Sequence, residues 1–483
     1  MENNNTSTQE KKRVTPIQAV VVLALVAGLI IVFARVGANG TVAMGLTWVI
    51  IYLSCIVMKF DWNAILGAGF DALRRVMGAV MILFTVGMLI GAWIAGGTIP
   101  TIIYYGLAII SPKVFLPCCL LITSVMSIFT GTSYGSAASA GVAMMGIGLS
   151  MGVPAGIIGG AIICGAIFGD KISPLSDTTN VCPALCGGSL FPHIKSQMFT
   201  TLPAYIICLI AFSIIGLRFG GDSGESMVTV QSTMAACADN FVISPICLIP
   251  LAVVIVLLLI KVDVLPSIML GALAGGVLSL TVQGHDFVST IQNMWSGYSI
   301  QSGNEIVDKL MNRGGFTSMD SAVLVMIFAV GMGAMLEEMG VMDIFLGALT
   351  KRINGVFSLV GSTMIVSYAA GALTCTMTST NVITGKLMSP LYWEKGIAPE
   401  VCSRTMEDTG TIGGVLMPWH SNSAYYSGVL SVAWAEFAPF LILAYTVPIF
   451  SLICAATGFG IFYVDKDGKR ISKQEWKELY GQS

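Results

Sequence analysis

The chain has 483 residues, of which 55% are hydrophobic and only 10% charged, with a formal net charge of −2 and a mean hydropathy of +0.84. Soluble domains carry about 25% charge, so this composition excludes a disordered chain, a nucleic-acid binder and an ordinary cytosolic enzyme. It fits an all-α polytopic membrane protein.

A bilayer core of ~30 Å needs about 20 apolar residues as helix. The first qualifying run, Ile17 to Phe33, follows Lys11, Lys12 and Arg13. Its flanks resemble those of a signal peptide, but no small-residue cleavage site follows and many spans come after, so it reads as a retained first helix. Further runs lie near 42–58, 76–95, 114–130, 152–168, 199–217, 241–260, 264–282, 322–340, 354–373 and 438–464. Roughly 11 to 13 crossings or partial crossings are expected. Lys and Arg in short loops set the orientation. The basic N-tail, the loop from Lys59 to Arg75 and the C-tail with Lys466, Lys469, Arg470, Lys473 and Lys477 suit the cytoplasm. The connection from Gly220 to Asn240, with Asp222, Glu225 and Asp239 and no basic residue, suits the outside. The plan is a cytoplasmic N-tail (1–16), a first membrane repeat (17–217), an external connection (218–240), a second membrane repeat (241–464) and a cytoplasmic C-tail (465–483).

The repeat rests on a constant offset. Phe84-Thr-Val-Gly-Met88 recurs as Phe328-Ala-Val-Gly-Met332, 244 residues later, and the same offset pairs Thr130 with Thr374, Thr132 with Thr376, Gly169 with Gly413 and Pro174 with Pro418. The loop charges start the two copies on opposite sides of the membrane. Two inverted-topology repeats with broken helices and re-entrant hairpins are therefore expected, an arrangement suited to alternating access.

Polar interruptions carry the chemistry. Thr130-Gly-Thr-Ser-Tyr-Gly-Ser136 corresponds to the stretch from Thr374 to Asn381, and both read as tips of re-entrant hairpins. Helix N-termini beside such tips favour an anion, which makes Thr132, Ser133, Thr376 and Asn381 candidate substrate contacts, with Arg404 as a charge partner. Gly131-Thr-Ser-Tyr-Gly135 also fits G-x-S-x-G, which requires a strand-to-helix turn that the pattern lacks. An intramembrane serine protease with Ser133 as nucleophile is the remote alternative.

The segment Phe168-Gly-Asp-Lys-Ile-Ser-Pro-Leu-Ser-Asp-Thr-Thr-Asn180 places Asp170, Lys171 and Asp177 among Ser173, Ser176, Thr178 and Asn180 after an apolar run. A charge at that depth must pair, neutralise or line a wet cavity. Gly169 and Pro174 are expected to break the helix there. A bland alternative is an Asp170–Lys171 loop pair at the membrane edge. The second copy offers Arg404, Glu407 and Asp408, then His420, Ser421 and Asn422 after Pro418. Glu407 and Asp408 repel each other unless a proton or a cation such as Arg404 or Lys171 joins them. His420 is a candidate titrating group, whereas His193 and His285 are expected at the interface. Oxygen donors of these kinds suit Na+, expected at Asp170, Asp177, Thr178 and Asn422. Cys182 and Cys186 lack the partners of a zinc site.

The run from Gly169 to Asn180, with Gly131-Thr-Ser-Tyr-Gly135, Met406-Glu-Asp-Thr-Gly410 and Pro418-Trp-His-Ser-Asn422, resembles the NhaC family of Na+/H+ antiporters. The resemblance implies secondary active exchange of Na+ for H+ across the cytoplasmic membrane, with Asp170, Asp177, Glu407 and Asp408 as shared carboxylates that bind either ion. The family also includes malate/lactate antiporters coupled to H+ and Na+, which is the alternative. It implies no cofactor beyond the transported ions. The expected partners are lipid, Na+ and H+, a small dicarboxylate or hydroxy acid under the alternative, and a second copy if the protein is a homodimer.

Overall fold

The computed structural model describes residues 13–36, 40–219, 224–341, 344, 353 and 355–480. Lys11, Lys12, Asp222, Lys351 and Arg352 lie outside the described residues. The apolar runs fold as helix because lipid offers no partner for free N–H and C=O groups. In chain order these are α1 (Pro16–Arg35), α2 (Gly40–Met58), α3 (Trp62–Ala95), α4 (Thr98–Ile109) and α5 (Pro112–Thr130). Next come α6 (Ser133–Ser136), which runs through a π-helical turn (Ala137–Gly141) into α7 (Val142–Ser150), then α8 (Ala155–Ile172), α9 (Asp177–Leu185) and α10 (Leu190–Leu217). The middle of the chain holds α11 (Gly224–Asn240), α12 (Ile249–Leu259), α13 (Val264–Thr281), α14 (Phe287–Ser296), α15 (Glu305–Met311) and α16 (Asp320–Glu338). The last part holds α17 (Val356–Thr374), α18 (Met377–Glu394), α19 (Pro399–Met406), a π turn (Glu407–Thr411), α20 (Ser421–Leu430), α21 (Trp434–Phe437) and α22 (Ile442–Thr457). A two-residue hairpin, β1 (Tyr463–Val464) with β2 (Arg470–Ile471), and α23 (Lys473–Tyr480) close the chain.

Among the described residues, nine helices are long and apolar enough to cross a membrane, or eleven if each of two bent pairs counts as one span. The protein is a multi-pass, all-α membrane protein. The connection from Gly220 to Asn240 is largely helical over its described residues, as α11, and the chain turns by 97° between Asn240 and Pro245. Glycine stripes set the packing of the central helices. A methyl at Gly165 would lie 2.1 Å from Thr123 Oγ1, and one at Gly169 would lie 2.3 Å from the Ser124 carbonyl. Both glycines therefore serve the close approach of α5 and α8. This corrects the expectation that Gly169 breaks the helix. α8 continues through Gly169, Asp170 and Lys171 to Ile172, and the break falls at residues 173–176 around Pro174.

Element bounds recur at the offset of 244 residues found in the sequence. α5 and α17 both have 19 residues at matching positions, and α18 matches the span from Ser133 to Ser150. The tips match in detail as well. Gly131 (φ 68°) and Cys375 (φ 58°) both end their helices in the left-handed region. Thr132 and Thr376 then cap the next helix, each side chain accepting at 3.4 Å from the backbone N–H of Gly135 and Ser379 respectively. A non-glycine residue held left-handed costs about 1–2 kcal/mol, so Cys375 marks a turn whose geometry the surrounding packing dictates.

Candidate functional site

Four helical pieces meet at the candidate site: the C-terminal turn of α8, the start of α6, the π turn after α19, and one face of α10. The end of α8 is held open by side chains. Ser173 Oγ donates to the Ile128 carbonyl (2.7 Å), and Thr179 Oγ1 donates to the Lys171 carbonyl (3.1 Å). Asn180 Nδ2 donates to the Ser176 carbonyl (2.7 Å), and Ser176 bonds the Thr178 hydroxyl (3.2 Å). These residues therefore shape the turn. Asp177 is exposed at the first position of α9.

Asp170 faces inward. Ser133 Oγ, at the start of α6, donates to its Oδ2 at 2.7 Å. Lys171 does not pair with Asp170 but reaches Asp408 in the π turn, with both side chains fully buried. Thr200 Oγ1 donates to the same Asp408 oxygen at 3.1 Å. Burying a charge pair recovers its desolvation cost only with good geometry and added hydrogen bonds, and Thr200 supplies one.

Glu407 has different neighbours. Gln197 Nε2 donates to its Oε2, and His193 Nε2 stands 3.8 Å from that oxygen. His193 Nδ1 is bonded to Ser403 Oγ at 2.7 Å. His193 is 0% exposed, which corrects the expectation of an interfacial position. The reason is helical spacing: His193, Gln197 and Thr200 fall at i, i+4 and i+7 on α10 and form one polar face toward the two acids. That periodicity is legible in the sequence. Glu407 Oε1 and Asp408 Oδ2 have no protein partner. Arg404 points elsewhere, its Nη1 donating to Ser196 Oγ (3.3 Å) and the Gly460 carbonyl (2.8 Å). Its Nε and Nη2 are buried without a partner. A π turn shifts the backbone register and recurs at functional sites; here it carries Glu407, Asp408 and Thr411.

The second break joins this cluster through Asn422. Tyr134 Oη donates to Asn422 Oδ1 at 2.8 Å, and the Tyr134 ring stacks on Tyr425 at 3.7 Å. Asn422 Nδ2 reaches the Thr411 carbonyl (3.5 Å), and Asn381 Nδ2 donates to Thr411 Oγ1 (3.1 Å). His420 caps α20, its Nδ1 accepting the Asn422 backbone N–H at 3.1 Å, and Ser421 is buried beside it. Ser133 donates to Asp170, and the histidines bond elsewhere, His193 to Ser403, His285 to Ser279 and His420 to the Asn422 backbone, so Ser133 has no histidine beside it to act as a base among the described residues. Chemically the site has three inward carboxylates, one of them joined to Lys171. Asp170 and Glu407 are met only by neutral donors and a histidine. Taking a carboxylate out of water without a counter-charge is costly.

Residues 165–459 match the model of a family described as the Na+/H+ antiporter family. The chain is 35% identical over 431 residues to a malate-2H+/Na+-lactate antiporter of Bacillus subtilis (strain 168), covering 89% of this chain and 92% of that one. It is 33% identical over 405 residues to the Na+/H+ antiporter NhaC of Alkalihalophilus pseudofirmus, covering 84% of this chain and 87% of the other. An arginine/ornithine antiporter, ArcD, of Halobacterium salinarum is 29% identical over 429 residues, 88% of each chain.

Proposed function

The chain belongs to the Na+/H+ antiporter family, a family of transporters rather than enzymes, and from that premise we propose that it exchanges Na+ for H+ across the cytoplasmic membrane by alternating access. One observation carries the reading. Of the three site carboxylates, Asp408 is bonded to a lysine, Lys171, while Asp170 and Glu407 are met by Ser133, Gln197 and His193. The two ionised acids without a lysine leave two negative charges at the site, and each is relieved by one proton or one Na+. A loaded site can cross a low-dielectric layer, whereas an empty charged one cannot, because an unpaired carboxylate there costs several kcal/mol or more. That asymmetry couples the ions. Asp177, exposed at the head of α9, serves as a collecting charge at the mouth rather than as an inner ligand. The recurrence of helix bounds and caps at one offset supports two repeats with hairpin tips at Thr132 and Thr376, and the loop charges favour opposite starting sides for the two copies and both termini in the cytoplasm.

A second reading is favoured by a specific feature. The Nε and Nη2 donors of Arg404 form the edge that grips a carboxylate bidentately, and they have no protein partner. One relative is named as a malate and lactate antiporter. The test is a proteoliposome assay with an internal pH dye. External Na+ alone should make the lumen more alkaline. A response that appears only with malate or lactate moves the function to organic-acid exchange, and no response under either condition overturns both readings.

A further inference from the structure

Where α17, the start of α18 and the π turn meet, two buried oxygens have no protein partner, Ser367 Oγ and Asn381 Oδ1. Neighbouring hydroxyls on these two helices are all satisfied: Thr363, Thr380 and Thr384 donate to carbonyls four residues back at 2.8, 2.7 and 2.7 Å. The two unmet oxygens converge. A methyl group built on Gly410 would lie 2.7 Å from each of them. Asn381 Nδ2 is committed to Thr411 Oγ1, so the carbonyl oxygen is its free end. Two residues before Gly410, Asp408 keeps Oδ2 without a partner.

Buried polar atoms are almost always met by something. Hydroxyl and amide oxygens around a glycine make an all-oxygen acceptor set that suits a hard cation. We propose that Ser367 Oγ and Asn381 Oδ1, around Gly410, hold Na+ and are therefore the ligands through which the buried acids feel that ion. The inference rests on the exchange reading for the identity of the ion. The equivalent place in the earlier stretch, 244 residues back, holds Thr123, Ala137 and Ala166. There the Thr123 hydroxyl is satisfied by the Cys119 carbonyl (2.9 Å), and alanine methyls replace the amide and the glycine. A polar thread joins the cradle to the other acid: Asn381 to Thr411, Thr411 to Asn422, Asn422 to Tyr134, whose neighbour Ser133 holds Asp170.

The test is equilibrium binding of radiolabelled Na+ to the purified full-length protein, with folding followed by thermal unfolding. Ser367→Ala and Asn381→Ala should each weaken Na+ binding by about tenfold or more, and Gly410→Ala, which fills the cradle, should abolish it. Ser367→Cys, close in size to serine, should weaken binding as well and guards against a misfolded variant. Thr363→Ala should leave Na+ affinity unchanged. Unchanged affinity in folded Ser367→Ala and Asn381→Ala, as expected if only water fills the cradle, overturns the site and leaves the exchange reading standing. Weakened binding in the variants without Na+-driven proton movement by the parent protein in vesicles upholds the site and overturns the exchange reading.

Discussion

The stretches 112–185 and 356–429 share helix bounds and tip caps but hold different groups. Asp170, Lys171 and Ser133 in the first face Gly414, Val415 and Met377 at the same offset in the second. Glu407, Asp408, Asn381 and Gly410 in the second correspond to Ile163, Cys164, Ala137 and Ala166 in the first. A common scaffold thus carries complementary contents. Neither stretch contains a balanced site, and the Lys171–Asp408 pair joins one to the other across the molecule.

The largest expected effect comes from breaking that joint. Lys171→Met leaves Asp408 buried with only Thr200, and losing one partner of a buried pair typically costs about 3–5 kcal/mol. Thermal unfolding in detergent should show a strongly destabilised protein, and adding Asp408→Leu should restore much of the stability. A single mutant as stable as the parent would mean that the joint does not hold the stretches together. Next, Gln197→Leu removes the amide that meets Glu407, with a cost of about 1–3 kcal/mol for an unsatisfied buried acceptor. Exchange should slow and its pH profile should move, and an unmoved profile would take Glu407 out of the coupling. The smallest effect tests the asymmetry itself. Ala166→Gly gives the first stretch the glycine of the second but no oxygen pair, so Na+ dependence should be unchanged and stability should fall by only about 0.5–1 kcal/mol. A new Na+ dependence there would make the two stretches functionally alike.

The acids were legible because a charge inside an apolar run has few structural uses, and Asp170, Lys171, Glu407 and Asp408 all lie inward. The helix ends were legible through the paired Thr130 and Thr374, Thr132 and Thr376. The polar face of α10 was missed because the apolar run was taken from residue 199, which leaves His193 and Gln197 outside it, although His193, Gln197 and Thr200 follow helical spacing. Gly169 was misread because a glycine that permits helix contact and one that ends a helix look alike in sequence; the partner backbone at Ser124 decides. The choice of Asp408 rather than Asp170 by Lys171 depends on tertiary packing, which no local pattern encodes.

The most direct measurement follows lumenal pH in proteoliposomes containing the parent protein or Asp170→Asn after a pulse of external Na+. The account predicts prompt alkalinisation with the parent and none with the folded variant, whose amide cannot trade a proton. Equal alkalinisation by both would contradict it.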